Sequence, residues 1–325
     1  MSIAPQVPHD AAAGAGAAPA ASRAEAPAPR SRRPALSYEL FPARGDASLE
    51  KVRRTVAALE CTQPDYVSVT CASARTNFPR VLELTDHILS ETGLRPLVHL
   101  TSVGSSAADL SVSIRTLMQL GVRGILALRG DIPPGYDTRD DEFPFARYLV
   151  ELIRRIEREE TATLAAGRLA VGVATYAQRH PESPTHQHDI EVLLTKERSG
   201  ADFAITQAFF DPAEYSDLVR RARRAGVTIP IIPGFVPMTS VRRLTRFAEL
   251  SGVHAPAEHL HALETASGPE ERRRIGIAAS VDLIRAVLDD GAPGVHLFTF
   301  NEHVDALGVL DRLDLGRWAR EPVGV

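Results

Sequence analysis

The chain has 325 residues, 44% of them apolar and 24% charged, the balance of a soluble globular protein with a sizeable core. A net charge of -4 offers no basic surface for a nucleic acid, and no apolar run is long enough to span a bilayer, so neither is an expected partner. Cys61 and Cys71 are too few for a disulfide framework and point to a reducing, cytoplasmic setting.

Residues 1–34 are rich in Ala and Pro and almost free of large apolar side chains, so a disordered tail is expected there. The tail lacks the apolar centre of a secretory signal. Beyond it, short β-rich runs alternate with segments of helical period. Strands are predicted at 36–41, 66–70, 95–100, 124–128, 170–175, 203–207, 229–233 and 295–299. Helical spacing is plain in Tyr215, Leu218, Val219 and Ala222, and again in Ile277, Val281, Ile284 and Leu288. Gly93, Gly121, Gly200 and Gly226 stand where helices should end in left-handed caps.

Strand-helix alternation implies parallel strands with helical crossovers. Eight such units within roughly 250 residues predict an α/β fold, a closed (β/α)8 TIM barrel rather than an open doubly wound sheet. The helical interval 240–290 predicts extra helices before the last strand. A single barrel domain is expected over residues 35–318, with a short C-terminal tail at 319–325.

In such barrels the active site forms at the C-terminal ends of the strands. That rim carries Glu39, Thr70, His99 with Thr101, Arg129 with Asp131, Tyr176 with His180, Gln207 and Asn301. Period two places Ser37, Glu39 and Phe41 on one face of the first strand. A carboxyl group facing the barrel interior is desolvated and kept neutral, which suits a general acid. A structural ion pair with an interior arginine is the other reading. Asp131 follows Arg129-Gly130 and precedes a proline-fixed loop, where it either meets a ligand or pairs with Arg129. Gln207 ends a strand, and its amide needs a partner with both donors and acceptors.

Other clusters carry less chemistry. His186, His188, His254, His259 and His261 lack the cysteine or carboxylate company of a metal site, so no metal is expected. The arginines of 220–224 read as a solvated helix face. Cys71 has no base partner in sequence and reads as packing.

Taken together, these residues resemble the methylenetetrahydrofolate reductase family in its bacterial, catalytic-domain-only form. The resemblance runs from about Leu36 to Leu315. It is carried by Ser37-Tyr38-Glu39-Leu40-Phe41-Pro42, Val67-Ser68-Val69-Thr70 and His99-Leu100-Thr101, then Ala127-Leu128-Arg129-Gly130-Asp131. It continues through Tyr176 with His180-Pro181, Lys196 before Gly200-Ala201-Asp202, Ile205-Thr206-Gln207-Ala208-Phe209-Phe210-Asp211 and Phe298-Thr299-Phe300-Asn301. It implies a ping-pong cycle in which NADH or NADPH reduces FAD and FAD then reduces methylenetetrahydrofolate to methyltetrahydrofolate. On this resemblance Glu39 protonates the folate, Asp131 lies beside the flavin and holds the pterin, and Gln207 contacts the stacked substrate. Thr70, His99, Arg129, Gly130, Asp131, Ala146, Tyr176, His180, Asp189 and Lys196 match flavin-contacting positions. Phe247 matches an aromatic position associated with the nicotinamide.

The chain departs from the family pattern in places. Ala43 and Cys71-Ala72 replace Pro and Tyr-Gly, Val192 stands where Asn is common, and Glu302 where Arg often meets the folate. Arg243, in place of Gln, could reach the same glutamate tail. Three other readings remain: a flavin-independent NADH-dependent reductase, a pterin-binding barrel of methyltransferase or lyase type, and a non-catalytic barrel. The sequence leaves a homo-oligomer open.

Overall fold

In a computed structural model of the chain, the described residues are 33–71, 77–132, 135, 137, 141–160 and 167–313. Most of the expected tail at 1–34, the prolines after Ile132 and residues 314–325 lie outside them. The compact unit that begins at Arg33 holds the fold.

Its elements alternate as the sequence pattern requires. They run β1 Ala35–Leu40, α1 Asp46–Glu60, β2 Tyr66–Val69, α2 Phe78–Glu91, β3 Pro96–Thr101, α3 Ala107–Leu120, β4 Gly124–Leu128 and α4 Ala146–Glu159. There follow β5 Ala170–Thr175, α5 His186–Arg198, β6 Phe203–Thr206, α6 Pro212–Arg224, β7 Ile231–Ile232 and β8 Gly234–Phe235. The last are α7 Val241–Ser251, α8 Ala257–Thr265, α9 Pro269–Asp289, β9 Gly294–Phe298 and α10 His303–Arg312. Every strand pairing is parallel, in the order β7-β6-β5-β4-β3-β2-β1-β9-β8. Among the described residues no helix is long and apolar enough to cross a membrane.

The ring closes at Pro233. The expectation of one strand over 229–233 is corrected here: β7 pairs only with β6 and β8 only with β9, so two short pieces share one place in a (β/α)8 barrel. Proline has no N–H to give a ladder, which explains the break. Its carbonyl still accepts from the His296 amide at 3.0 Å, and the Thr206 hydroxyl accepts from the Gly234 amide at 2.9 Å. A Cβ at Gly234 would lie 2.4 Å from the Thr206 carbonyl, so only glycine fits this seam.

Helix ends follow local chemistry. Ser106, Thr185, Asp211 and Ser240 each accept a backbone N–H at the start of α3, α5, α6 and α7. Gly121, Gly200 and Gly226 are left-handed, as their positions predict. Gly93 is not: α2 ends on an extended Thr92, and the Gly93 amide donates to Glu60 at 2.7 Å. The interval 240–290 folds into α7, α8 and α9, the extra helices expected before the last strand.

The main core lies between strands and helices, where Leu36, Tyr38, Leu40, Val67, Val69 and Val98 point outward from the ring. The inward faces divide into two sectors. Leu97, Leu126, Leu128, Phe203, Ile205 and Ile232 fill the side of β3 to β7 with apolar bulk. Ser37, Glu39, Tyr66, Ser68, His99 and His296 line the opposite side, on β9, β1, β2 and β3. Barrel interiors are ordinarily packed with branched apolar residues, so a polar sector is costly and points to function.

Candidate functional site

Alternation along β1 turns Glu39 inward while Tyr38 and Leu40 anchor the strand in the outer core. The end of β1 is clamped from β9. The Thr299 hydroxyl donates to the Glu39 carbonyl at 2.6 Å, and the Asn301 side chain bonds both the amide and the carbonyl of Phe41 at 2.9 Å. The Glu39 side chain is 12% exposed, and its Oε2 lies 3.8 Å from Nε2 of His99. Burial pushes its pKa up to about 8, and burial pushes that of His99 down to about 3. Near pH 7 the pair is therefore a carboxylic acid beside a neutral imidazole, not an ion pair. The arginine that the structural alternative required is absent from its neighbourhood among the described residues.

A second group of charges occupies the ends of β4 and β5. Arg129 holds Glu182 with both ends of its guanidinium, at 2.7 and 3.0 Å. These bonds raise the Arg129 pKa and lower that of Glu182. Asp131 is exposed, two residues on, and its charge acts on both Arg129 and Tyr176. Tyr176 meets His180 edge to face, with ring centroids 4.6 Å apart. Burial, followed by Asp131, raises the Tyr176 pKa, while burial lowers that of His180.

Asp189 organises the loop between them. Its carboxylate, in the first turn of α5, accepts the His180 amide at 3.1 Å and the Ser183 hydroxyl. Two turns along the same helix, the Lys196 ammonium donates to the Ala174 carbonyl at 2.8 Å. Burial, then Arg129, lowers its pKa to about 8. Its other two donors have no hydrogen bond among the described residues.

The remaining predicted positions are spread around the rim. Thr70 follows β2, its amide bonded to the Leu40 carbonyl at 2.9 Å. Gly130 sits left-handed between Arg129 and Asp131. Ala146 is the buried first residue of α4. Gln207 follows β6, its side-chain oxygen accepting the Ala208 amide at 3.1 Å. Phe247 is a buried residue of α7, edge-on to Phe210 at 6.2 Å. Arg243 is held by Asp305 at 3.0 Å, together with Arg273 at 3.2 Å. Glu302 is paired with Lys51, so its charge is partly answered within the chain.

Sequence reasoning passed over Glu182, Ser68, His296 and Asp305. Ser68 and His296 carry a period-two signal as inward positions of β2 and β9. Glu182 and Asp305 carry none, since their partners lie 53 and 62 residues away. The histidines that invited a metal reading stand apart: His259 donates to the Met238 carbonyl at 2.8 Å and His254 to that of Gly252 at 3.1 Å.

A flavin dinucleotide asks for cations beside its diphosphate and polar groups along its ring. Lys196 with unused donors, Arg129, the Tyr176–His180 ring pair and the Gln207 amide suit those demands, and the residues fit such a group.

A family profile described as Methylenetetrahydrofolate reductase matches residues 25–314. The 5,10-methylenetetrahydrofolate reductase of Escherichia coli K12 is 29% identical over 267 residues, covering 82% of this chain and 86% of the relative. A probable methylenetetrahydrofolate reductase (NADPH) of Caenorhabditis elegans is 34% identical over 236 residues. That match covers 72% of this chain, which spans about a third (34%) of the longer relative. In fold, the chain is similar to a Clostridium thermocellum protein that binds two copies of 5-methyl-5,6,7,8-tetrahydrofolic acid. The TM-score is 0.60 at 13% identity, over 86% of this chain and 95% of the other. Residues 25–314 take in every strand of the barrel and the whole rim, from Glu39 to Asn301. The chain belongs to the methylenetetrahydrofolate reductase family.

Proposed function

We propose that the chain reduces 5,10-methylenetetrahydrofolate to 5-methyltetrahydrofolate, with NADH or NADPH as hydride donor and FAD held at the C-terminal rim. The observation that carries this reading is Glu39, a buried carboxylic acid with a pKa of about 8, on the same rim as the Arg129–Lys196 charge cluster. When bound, FAD supplies the hydride relay between nicotinamide and folate.

Every other part belongs to this chain. Arg129, Gly130, Tyr176, His180, Asp189 and Lys196 form the cradle on β4, β5 and α5, with Thr70, His99 and Ala146 completing it from β2, β3 and α4. Asp131 holds the pterin through its polar edge, and Gln207 presents an amide that can donate and accept to either substrate. Glu39 gives its proton to a folate nitrogen, the five-membered ring opens, and the exposed iminium carbon becomes the hydride acceptor. A carboxylic acid that keeps its proton near pH 7 is matched to that task.

A visible absorption spectrum of the purified protein, with stopped-flow measurement of each half-reaction, tests the reading. Bound flavin that is bleached by NADH or NADPH and recoloured by methylenetetrahydrofolate is expected. A protein that oxidises no nicotinamide in the presence of this folate would end the proposal. Val192 favours a second reading, direct transfer from NADH without FAD. Its apolar side chain is 37% exposed on α5, between Asp189 and Lys196, and offers a flavin no hydrogen bond. Folate reduction by colourless protein, unaffected by added FAD, would select it.

A further inference from the structure

Three buried side-chain atoms in the polar sector have no hydrogen-bond partner among the described residues: His99 Nε2, Ser68 Oγ and the Tyr66 hydroxyl oxygen. An unsatisfied buried polar atom is costly, and its persistence calls for an explanation. Two of the three belong to residues that stand beside Glu39. Ser68 is its register partner on β2, so their side chains leave the sheet on the same face. His99 Nε2 faces it from β3 at 3.8 Å. Ser68 is wholly buried and His99 is 6% exposed, so neither is satisfied by bulk solvent.

The geometry points to Ser68 and His99 as a donor pair that stays unsatisfied while Glu39 is an acid and closes on its carboxylate once the proton has left. In that step the Glu39 O–H bond breaks and an N–H bond forms on the substrate. Negative charge then develops on the carboxylate, and the Ser68 O–H and His99 Nε2–H become its hydrogen bonds. Donors that gain a partner only as charge develops stabilise the transition state more than the ground state. Ser68 is thus a positioning residue for the proton transfer. In the layer below, Ser37 Oγ and His296 Nδ1 share a hydrogen bond of 2.9 Å, which leaves Tyr66, the register partner of Ser37, with the unpaired atom there. Of the titratable groups on the packed strands, His99 on β3 faces Glu39 directly, while Tyr66 on β2 and His296 on β9 stack on each other one layer below, beside Ser37.

The inference rests on Glu39 acting as the acid of the folate step. Its test is the pH profile of that step in single turnover for Ser68→Ala and for the near-isosteric Ser68→Cys, whose thiol is a weak donor. Losing a donor to the charged form raises the acid's pKa, so the alkaline limb should move up by roughly one pH unit. The rate below the limb should fall about tenfold, with the nicotinamide half-reaction unchanged. An unmoved limb in folded variants, equal slowing of both half-reactions, or failure of both variants to fold would each overturn the inference. A parent protein that reduces no folate would instead remove the functional reading beneath it.

Discussion

Asn301 bonds the Phe41 backbone twice, amide and carbonyl, each at 2.9 Å, and does so from a left-handed conformation with φ of 56°. Its side chain acts as one more rung between β9 and β1, directly above the strand end that presents Glu39. Phe300, also left-handed, lays its ring 6.1 Å from that of Phe41 and secures the same junction. Asn301→Ala removes both rungs and is expected to cost about 1–3 kcal/mol in urea unfolding. It should also slow the folate step more than the nicotinamide step, because the acid and not the cofactor cradle loses its support. Equal slowing of both steps would show that the rung serves the whole rim.

The pH dependence of catalysis follows from Glu39. On the proposed function the folate step needs its protonated form, so the rate should be flat at low pH and fall as pH rises through about 8. Glu39→Gln should abolish folate reduction while leaving nicotinamide oxidation near the parental rate. Stability adds an independent check. Between the ordinary value of 4.5 and about 8 the folded chain holds a proton that the unfolded chain has released, so stability declines with pH across that window. Glu39→Gln abolishes the decline, and the variant should melt above the parent at pH 9. A parent whose melting temperature does not respond between pH 5 and 9 beyond the response of the variant would contradict the raised pKa.

His99 and His296 carry the opposite sign. Burial depresses both to about 3 from an ordinary 6.5, so they fold as neutral rings. Their contribution is present above 6.5 and is lost as pH falls toward 3, where the unfolded chain gains protons that the folded chain refuses. Acid unfolding is therefore expected to be steep in that window. His296→Gln, which cannot take up the proton, should shift the acid midpoint to lower pH in a circular-dichroism titration.

Glu182 occupies the Arg129 guanidinium, which on the proposed function meets a phosphate of the cofactor. The carboxylate is half exposed, so the pair is worth only about 0.2–1 kcal/mol, and a competing phosphate can displace it. Glu182→Gln should tighten FAD binding by up to about fivefold, the factor that the upper end of that energy corresponds to. Titration of apoprotein by flavin fluorescence reads it directly, and unchanged affinity would mean that Glu182 stays on Arg129 in the loaded protein.

Residues differ in how much of this was legible beforehand. Glu39 could be placed facing inward from alternation alone, since apolar Tyr38 and Leu40 on either side fix the phase of β1. The proposed cradle positions rest on resemblance and on the barrel rule that strand ends carry chemistry. The break at Pro233 was not, because the run 229–233 has the composition of one strand, and only the ring's closure shows that its two sides pair with different neighbours. Arg243 was read as reaching a substrate's anionic tail. In the folded chain Asp305, 62 residues on, holds it together with Arg273 and Thr239, a meeting of helices α7, α9 and α10 that no local pattern announces. Long-range pairing of polar groups is where sequence pattern is silent.

Gly130 joins the two halves of the site, since it separates Arg129 from Asp131 and must hold both at the mouth of β4. Its φ of 88° lies in the left-handed region, and a Cβ there would meet Thr101 Cβ at 3.0 Å and Val103 Cγ1 at 3.1 Å. Both obstacles are anchored. The Val103 amide bonds the Arg129 carbonyl at 2.8 Å, and Thr101 belongs to β3. Gly130→Ala therefore combines a left-handed penalty of about 1–2 kcal/mol with a contact that only a backbone shift relieves. The turn should swing outward and carry Arg129 and Asp131 with it. The expected result is at least a tenfold loss of FAD affinity with only a modest fall in melting temperature, because the barrel core beneath the turn is untouched. A variant that binds FAD normally would show that the turn tolerates displacement, and the cradle would then have to rest on β5 and α5 alone.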